Sequence, residues 1–277
     1  MHFPKILVLG ATGQIGEILR KFWPNDRATW QTRRAHRGSD WITAELSNDQ
    51  ALKTAAQGKS VILCLAGVTP ARVAQGGDFD DNIALALAAV RAGASVGARV
   101  LVTSSAAVYG NQAGTLDENT PLLPQSQYGR AKAEMEQRAI ALGRELGVAV
   151  CALRIGNVAG VDAILGGWRP GFQLDQFPNG HTPARSYIGP ETLAQVILDL
   201  VNAIDLPSVL NVSAPGTVEM GQLLDAAGLQ WVPRPAPETA IAQVCLSTGR
   251  LQRFTQLHNG DSLPETMVTQ WRSQNEP

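Results

Sequence analysis

The stretch that most constrains the fold comes near the amino terminus, where an apolar run leads into a turn rich in glycine. Residues 5–9 form the apolar run, Gly10, Gly13 and Gly16 follow, and the chain continues with a helical pattern. A strand, a glycine turn and a helix in this order are typical of the diphosphate-binding turn of open α/β sheets. Glycines there let a diphosphate reach backbone N–H groups. The spacing is GxxGxxG, and it predicts a dinucleotide site.

Strands and helices continue to alternate through the first half of the chain. Apolar runs occur at residues 27–32, 41–46, 60–65 and 99–104, and an alanine-rich helical segment occupies residues 78–96. Near-continuous apolar strands separated by helices predict a parallel sheet with helices on both faces. We therefore predict an α/β protein with a doubly wound parallel sheet, the Rossmann fold, whose strand carboxyl ends form the ligand-binding edge.

The second half of the chain lacks this regular alternation. Gly, Pro and aromatic residues crowd residues 166–190, and Pro233, Pro235 and Pro237 mark a stretch that we expect to be irregular. Loops on a rigid scaffold often carry specificity, so residues 166–190 are predicted to form a substrate loop. We predict that residues 1–155 are predominantly a dinucleotide-binding Rossmann domain. Residues 156–277 are predicted to be predominantly a small carboxy-terminal substrate-binding cap, with segments that return to the Rossmann core.

Charge and composition argue against several classes of protein. The net charge of −1 predicts no nucleic-acid partner and no attraction to an anionic membrane. No window approaches the roughly 18 apolar residues of a membrane span, and the amino terminus lacks the pattern of a signal peptide. The three cysteines are widely spaced and the four histidines are scattered, so the sequence predicts neither disulfides nor a metal site. We expect a cytoplasmic protein.

The end of the second predicted strand bears on the choice of dinucleotide. An Asp or Glu that binds the ribose hydroxyls of NAD usually stands there, about 20 residues past the glycine turn. This chain has Arg33 and Arg34 instead. Guanidinium groups suit a 2′-phosphate, so the sequence favours NADP as the cofactor, with NAD as the alternative. At the end of the next long apolar strand, Ala66 and Gly67 are small enough for a cofactor to lie against the backbone.

A tyrosine and a lysine one helical turn apart supply the candidate chemistry. Tyr128 and Lys132 open a helical segment that runs to about residue 146, so their side chains share one face. An ammonium group beside a phenol favours the phenolate. We predict that Lys132, together with a cationic nicotinamide ring, lowers the pKa of Tyr128 toward neutrality and makes it a general acid/base. The alternative is an ordinary helix with an exposed lysine.

Hydroxyl side chains stand at the end of the fifth apolar run, at Thr103, Ser104 and Ser105. At the carboxyl end of a strand, beside a cofactor crevice, such groups can hydrogen-bond a substrate oxygen that alternates between alcohol and ketone. The alternative is a polar strand end with no ligand.

With these features in place, the sequence resembles the extended short-chain dehydrogenase/reductase family, which contains NAD(P)-dependent nucleotide-sugar epimerases and dehydratases. The matching segments follow the family's order and span nearly the whole chain. They are GATGQIG at 10–16, LAG at 65–67, SSAAVYG at 104–110, YGRAK at 128–132, LRIGNVAG at 153–160, RSYIGPETLA at 185–194 and LNVSAPGTVEMGQLL at 210–224.

The resemblance implies roles for particular residues. Tyr128 would be the acid/base, Lys132 its partner and a ligand of the nicotinamide ribose, and Ser105 the anchor of the substrate hydroxyl. Asn157 and Arg185 match positions that lie by the substrate phosphate in relatives. The other implied cofactor contacts are Gly10, Thr12, Gly13, Gln14 and Ile15 around the diphosphate, Glu45 and Leu46 near adenine, Leu65, Ala66 and Gly67 after the fourth strand, and Thr103 after the fifth.

The resemblance leaves the net reaction open. Dehydratases of the family carry Asp-Glu just after the hydroxyl position, where this chain has Ala106 and Ala107, so elimination is not expected. The segment SSAAVYG is most similar to the epimerases. A substrate half shorter than usual, together with the arginine pair, favours a reductase that exchanges its cofactor. The expected substrate is a sugar, a nucleotide-sugar or a small carbonyl compound, and a non-catalytic NAD(P)-binding sensor or regulatory protein is the alternative function.

The resemblance also implies a homodimer, formed by the helical segments at residues 78–96 and 126–146. Ala84 and Ala88 lie one turn apart and suit a close helix–helix face. The same alanines would serve equally well against the chain's own sheet.

Overall fold

The computed structural model describes residues 5–275, and within them a seven-stranded sheet organises the chain. The strands, in chain order, are β1 (Ile6–Leu9), β2 (Ala28–Thr32), β3 (Trp41–Thr43), β4 (Val61–Cys64), β5 (Arg99–Ser105), β6 (Gly114–Leu116), β7 (Val150–Ile155), β8 (Asn157–Val158), β9 (Gln173–Gln176), β10 (Ala184–Arg185), β11 (Tyr187–Ile188), β12 (Val209–Val212), β13 (Val218–Glu219), β14 (Val232–Pro235) and β15 (Gln243–Leu246). The helices are α1 (Gln14–Phe22), α2 (Asp49–Ala56), α3 (Pro70–Val73), α4 (Asp81–Ala94), α5 (Gln127–Glu145), α6 (Pro190–Asn202), α7 (Met220–Ala226) and α8 (Pro264–Asn275).

The central sheet has the strand order β12-β7-β5-β4-β1-β2-β3, and each neighbouring pair is parallel. All carboxyl ends therefore lie along one edge. The order reverses between β1 and β4, and this switch point opens a crevice at that edge. The predicted doubly wound parallel sheet is confirmed.

Helices cover both faces of the sheet because its strands are apolar on both sides. β1 and β4 are buried at every position. Helices α1 and α6 pack on one face, and α2, α4 and α5 pack on the other. The alanines of α4 allow it to lie close to α5. β12 and α6 come from the second half of the sequence, so that half contributes an edge strand and a covering helix to the central unit.

The segment predicted to be a cap, residues 156–277, has a hydrophobic core of its own. A four-stranded sheet with the order β13-β10-β15-β6 and the pairs β11-β8 and β14-β9 surround it. Leu174, Tyr187 and Met267 are buried there, with Trp168 and Phe172 packed against them. Trp168 also donates a hydrogen bond from its indole N–H to the carbonyl of Gln230 at 2.9 Å. Much of the predicted substrate loop therefore packs within the cap.

The stretch expected to be irregular around Pro233 and Pro235 is instead strand β14, which pairs in parallel with β9. Proline cannot donate to a ladder and is confined to edge strands. β14 meets this condition because it is exposed along its length and belongs to a two-stranded pair. Val232 donates its N–H to the carbonyl of Phe172 at 2.8 Å and begins the pairing.

Some predicted bounds shift for simple local reasons. The third strand ends at Thr43, not at residue 46. Helix α6 starts at Pro190, since proline at the first helical position needs no N–H partner. Within residues 5–275, the longest apolar stretch of any helix falls short of what crossing a bilayer requires.

Candidate active site

The glycine turn after β1 packs tightly against the neighbouring backbone. Gly10 has a φ of 78°, and a Cβ atom there would lie 2.6 Å from the backbone nitrogen of Ala66. A Cβ atom on Gly16 would lie 2.3 Å from the carbonyl oxygen of Ala11. Both distances are too short for any side chain. The glycines therefore let α1 and the end of β4 close around the turn.

The amino end of α1 is open for an anion. Its N-cap residue is Gly13, and no side chain caps the helix there. Thr12, Gly13 and Gln14 are exposed, and Ile15 is half-buried. The first N–H groups of a helix lack intrahelical partners, and together with the helix dipole they attract a phosphate. The predicted diphosphate contacts thus lie together, with N–H groups available at the start of α1.

A buried glutamine holds this turn in place. Gln31 lies on β2 and is 2% exposed. Its side-chain oxygen accepts the N–H of Gly10 at 2.9 Å, and its amide nitrogen donates to the carbonyl of Ala44 at 2.7 Å. It thereby ties the ends of β1 and β3 together across β2. This role of Gln31 was not predicted from the sequence, where the signal was a polar side chain inside a strand predicted to be buried on both faces.

The end of β2 presents positive charge to solvent. Arg33 and Arg34 are exposed, and the Arg34 N–H donates to the Thr32 hydroxyl at 3.2 Å. Nearby, His36 stacks on Trp41 with ring centroids 4.1 Å apart. The arginine pair therefore has room to accept a ligand.

The two residues expected near adenine follow β3. Glu45 is exposed, and Leu46 is half-buried against the core formed with α2 and α4. They stand at the same carboxyl edge as the glycine turn, since β1 and β3 flank β2 in parallel.

The loop after β4 reaches the candidate catalytic lysine. Leu65 and Ala66 are half-buried and Gly67 is exposed. A Cβ atom on Gly67 would lie 2.7 Å from Oδ1 of Asn82 and 3.2 Å from Nζ of Lys132, so only glycine fits. The loop therefore lies against both side chains.

Asn82 on α4 holds the loop after β4. It is fully buried, and its Oδ1 accepts the N–H of Val68 at 3.1 Å. Its amide nitrogen donates to the carbonyls of Val68 and Phe79 at 3.1 and 2.9 Å. The sequence analysis gave Asn82 no role.

The structure brings Ser105, Tyr128 and Lys132 together. Ser105 ends β5, where its hydroxyl accepts the N–H of Ala107 at 3.2 Å and lies near enough to Tyr128 to act on the pKa of that phenol. Nζ of Lys132 lies 5.9 Å from the centre of the Tyr128 ring. The ring of Phe79 packs on the other side of the site, 5.8 Å from that of Tyr128.

Two local features place the start of α5 at this point. The Ser126 side chain accepts the N–H of Gly129 at 3.0 Å and caps the helix, so that Tyr128 falls in its first turn. A Cβ atom on Gly129 would lie 2.5 Å from the carbonyl oxygen of Ala107. The absence of a side chain at Gly129 therefore allows α5 to approach the turn that follows Ser105.

Burial governs the charge of the tyrosine and the lysine. Burial raises the pKa of Tyr128 above its usual value, and the Ser105 hydrogen bond opposes the shift. Lys132 is 4% exposed and donates to the carbonyl of Thr103 at 2.9 Å. Burial lowers the pKa of Lys132 to about 8, and the negative charge of Glu136 opposes this shift. In the chain by itself, burial outweighs the effect of Ser105 on the pKa of Tyr128, and the prediction that Lys132 together with a cationic nicotinamide ring lowers the Tyr128 pKa stays a prediction.

Thr103 contributes to the site through its backbone. Its side chain is buried and donates to the carbonyl of Cys64 at 3.2 Å, which links β5 to β4. Its own carbonyl accepts the Lys132 ammonium. Thr103 thus positions Lys132, while the hydroxyl predicted to face the crevice is turned into the sheet.

The candidate substrate residues lie at the border of the cap. Asn157 begins β8, two residues after Ile155, which pairs with Ser105 in the sheet. Its side chain lies near enough to Tyr187 to act on the pKa of that phenol. Arg185 lies on β10, where its guanidinium donates to the carbonyl of Ala184 at 2.8 Å. Asn157 therefore stands near Ser105, while Arg185 belongs to the second sheet.

The chain belongs to the NAD-dependent epimerase/dehydratase family. The sequence profile of this family matches residues 6–167, more than half of the 277 residues. The match confirms the resemblance to the extended short-chain dehydrogenases/reductases, a class of enzymes. No curated protein matches the chain significantly.

Solved structures share the whole fold at low sequence identity. The UDP-N-acetylglucosamine 4-epimerase of Methanobrevibacter ruminantium is 19% identical, with a TM-score of 0.76, over 99% of this chain and 100% of that one. The UDP-glucose 4-epimerase of Thermus thermophilus, solved with NAD, is 18% identical with a TM-score of 0.73, over 97% and 99%. The dTDP-glucose 4,6-dehydratase of Streptomyces venezuelae, also solved with NAD, is 19% identical with a TM-score of 0.72, over 97% of each chain. Each match covers nearly the full length of both chains, so the coverages give no support to the expectation that the substrate half of this chain is shortened.

Proposed function

We propose that the protein is an NAD(P)-dependent oxidoreductase of the extended short-chain type. It acts on a carbinol or ketone carbon of a sugar, a nucleotide-sugar or a small carbonyl compound. The observation that carries the proposal is the meeting of Ser105, Tyr128 and Lys132 at the carboxyl edge of the sheet, where the Ser105 hydroxyl lies near the Tyr128 phenol and Nζ of Lys132 lies 5.9 Å from the centre of the Tyr128 ring. A proton donor, a hydroxyl anchor and an ammonium at one point suit proton transfer to a carbonyl oxygen.

The crevice beside these residues fits a nicotinamide dinucleotide. The uncapped start of α1 suits the diphosphate, and Gly10 and Gly16 leave space that any Cβ atom would fill. Lys132 and the loop at Gly67 meet at the other end of the crevice, where the nicotinamide ribose would be held. When bound, the dinucleotide supplies the donor or acceptor of a hydride.

The chain's own residues move the proton. Because burial keeps Tyr128 protonated at neutral pH, its hydroxyl can donate the proton to a carbonyl oxygen as the carbon is reduced. Ser105 holds the same oxygen. The Lys132 ammonium, fixed by Thr103, stabilises the phenolate that remains. In the reverse direction the phenolate takes the proton of an alcohol. Ala106 and Ala107 carry no acid for elimination.

The arginine pair at the end of β2 predicts a preference for NADPH. In Arg33→Ser/Arg34→Ser, the Kd for NADPH should rise about 10- to 100-fold, as expected for lost hydrogen bonds to a charged group. The Kd for NADH should stay unchanged, because NADH lacks the 2′-phosphate. Quenching of protein fluorescence on titration measures both constants.

The control is Arg144→Ser, at the exposed far end of α5. It removes one positive charge without touching β2, so both affinities should match those of the unmodified protein. Tighter binding of NADH than NADPH by the unmodified protein would contradict the assignment of the arginine pair.

Two net reactions are candidates. The first is a reduction in which the cofactor is exchanged, and the second is an epimerisation in which the cofactor is retained. The fold matches to nucleotide-sugar 4-epimerases support the second candidate. The dinucleotide released on denaturing the purified protein separates them. Stoichiometric NAD would favour an epimerase, whereas a protein that exchanges NADP(H) readily would favour a reductase. A protein that binds dinucleotide without turnover would be the sensor considered above.

We further propose that the protein is a homodimer through the exposed sides of α4 and α5. Ala88 packs in the chain's own core, whereas Ala84 is exposed and available to a partner. Light scattering should give twice the chain mass of 29.5 kDa, and Ala84→Arg should give the single-chain mass. Thr54→Arg, on the exposed side of α2, is the control that should leave the dimer intact. A monomer for the unmodified protein would contradict the proposal.

A further inference from the structure

An ion pair lies inside the protein directly behind the catalytic residues. Glu136 on α5 is 2% exposed and Arg154 on β7 is 5% exposed. The guanidinium donates to the carboxylate at 2.8 Å and, from Nε, to both oxygens at 3.1 Å. Burying two charges costs several kcal/mol per ion before their attraction repays it. Stability alone is therefore a weak reason for this pair.

The pair is joined to the ends of two strands. Ser104 donates its hydroxyl to the Glu136 carboxylate at 2.5 Å, and Ser104 is opposite Arg154 in the β5–β7 ladder. Arg154 also donates to the Tyr109 hydroxyl at 2.9 Å, which in turn contacts Asn211 on β12 at 2.7 Å. The carboxylate thus sits where α5, β5 and β7 meet.

Glu136 is connected to Ser105, Tyr128 and Lys132, either along its own helix or through a neighbouring residue. Along α5 it is one turn beyond Lys132 and two turns beyond Tyr128, on the same face. Its carboxylate accepts the hydroxyl of Ser104, which is the residue next to Ser105. The Glu136 carboxylate therefore contacts the end of β5, the strand that carries the Ser105 hydroxyl. It also belongs to α5, the helix that carries Tyr128 and Lys132.

We propose that Glu136 is a positioning residue, which sets α5 against the end of β5 through Ser104 and Arg154 and supplies the negative charge that faces Lys132. The proposal rests on the function proposed above. It assigns to this carboxylate the task of keeping Lys132 charged inside the protein, so that the ammonium can act on Tyr128 and on the cofactor.

The charges around Lys132 support this role. From α5 it faces Tyr128 and Glu136, and from β4 it faces Cys64. Burial raises the pKa of the Cys64 thiol to about 11, so this group is neutral at physiological pH. Among the described groups that act on Lys132, Glu136 then carries the negative charge, and its own counter-ion is Arg154.

The test measures the pKa of Lys132 directly and needs no substrate. Protein labelled with ¹³C at the lysine ε-carbons is titrated by NMR, and Lys132→Met identifies the resonance. In Glu136→Gln, which keeps the shape and an acceptor oxygen, the pKa of Lys132 should fall by about one unit. Glu134→Gln is the matched control, because Glu134 lies on the same helix but pairs with Arg138 in solvent. It should leave the Lys132 pKa unchanged.

A second variant covers the case in which Glu136→Gln fails to fold because Arg154 is left unpaired. Glu136→Gln/Arg154→Gln removes both charges and should fold, again with a lowered Lys132 pKa. An unchanged Lys132 pKa in a folded Glu136 variant would overturn the proposal and leave Glu136 a packing element.

A dinucleotide titration separates this proposal from the proposed function. If the NMR shift occurs and NADPH binds more weakly to the Glu136 variants than to Glu134→Gln, both stand. If no dinucleotide binds to the unmodified protein, the proposed function fails, while the NMR result still decides the role of Glu136 in charging Lys132.

Discussion

Replacing Tyr128 by Phe is expected to lower hydride transfer about 10²- to 10⁴-fold, the range that a positioned general acid contributes. The substitution removes the hydroxyl that Ser105 contacts and keeps the ring that packs on Phe79. The fold and the cofactor turn should therefore stay intact. Single-turnover measurement of nicotinamide fluorescence with a panel of nucleotide-sugars, alcohols and carbonyl compounds gives the rate.

Two further measurements make this result specific. The Kd of Tyr128→Phe for the dinucleotide should equal that of the unmodified protein, and its melting temperature should change little. A Tyr128→Phe protein with unimpaired turnover would remove Tyr128 from the chemistry.

Replacing Lys132 by Met is expected to separate activity from stability. Turnover should fall at least about 100-fold, because no ammonium remains to stabilise the Tyr128 phenolate. At the same time the folded protein should gain stability at neutral pH, because a buried charge is removed. Substitution of a lysine with only a structural role would rarely lower turnover and raise stability together.

The sign of the stability effect follows from the pKa of Lys132. Folding lowers this pKa from 10.5 to about 8, so between these values the unfolded chain binds more protons and stability rises with pH. Below pH 8 the full cost of burying the charged Lys132 side chain, about 3 kcal/mol, opposes folding. Loss of the hydrogen bond to Thr103 offsets about 1 kcal/mol. Lys132→Met should therefore be about 2 kcal/mol more stable at pH 7.

The gain should fade as the pH rises from 8 toward 10.5, which denaturant unfolding at several pH values can follow. Lys53→Met, on α2, is the control that should show no such trend. A Lys132→Met protein that is less stable at pH 7 would mean that the lysine is favourably charged when folded.

The apolar patterning was enough to predict the central sheet, since its buried strands read as continuous runs between helices. The glycine turn and the Tyr128–Lys132 pair were also predictable, because sequence spacing alone places them. The strand at Pro233 and Pro235 was missed, since pairing with β9 depends on a partner almost 60 residues away.

Other features of the site depend on burial, which the sequence shows only indirectly. Gln31 and Glu136 were missed because each acts through contacts across strands or between a helix and the sheet. The burial that raises the pKa of Tyr128 was not predictable for the same reason: the lysine was visible in the sequence, but the extent of desolvation was not.

The most direct test of the central claim is whether a candidate substrate changes the redox state of dinucleotide bound to the protein. The account predicts that at least one nucleotide-sugar, alcohol or carbonyl compound does so with the unmodified protein, while Tyr128→Phe loaded with equal dinucleotide shows almost no change. Bound dinucleotide that responds to none of these compounds, or responds equally in both proteins, would contradict catalysis by Ser105, Tyr128 and Lys132.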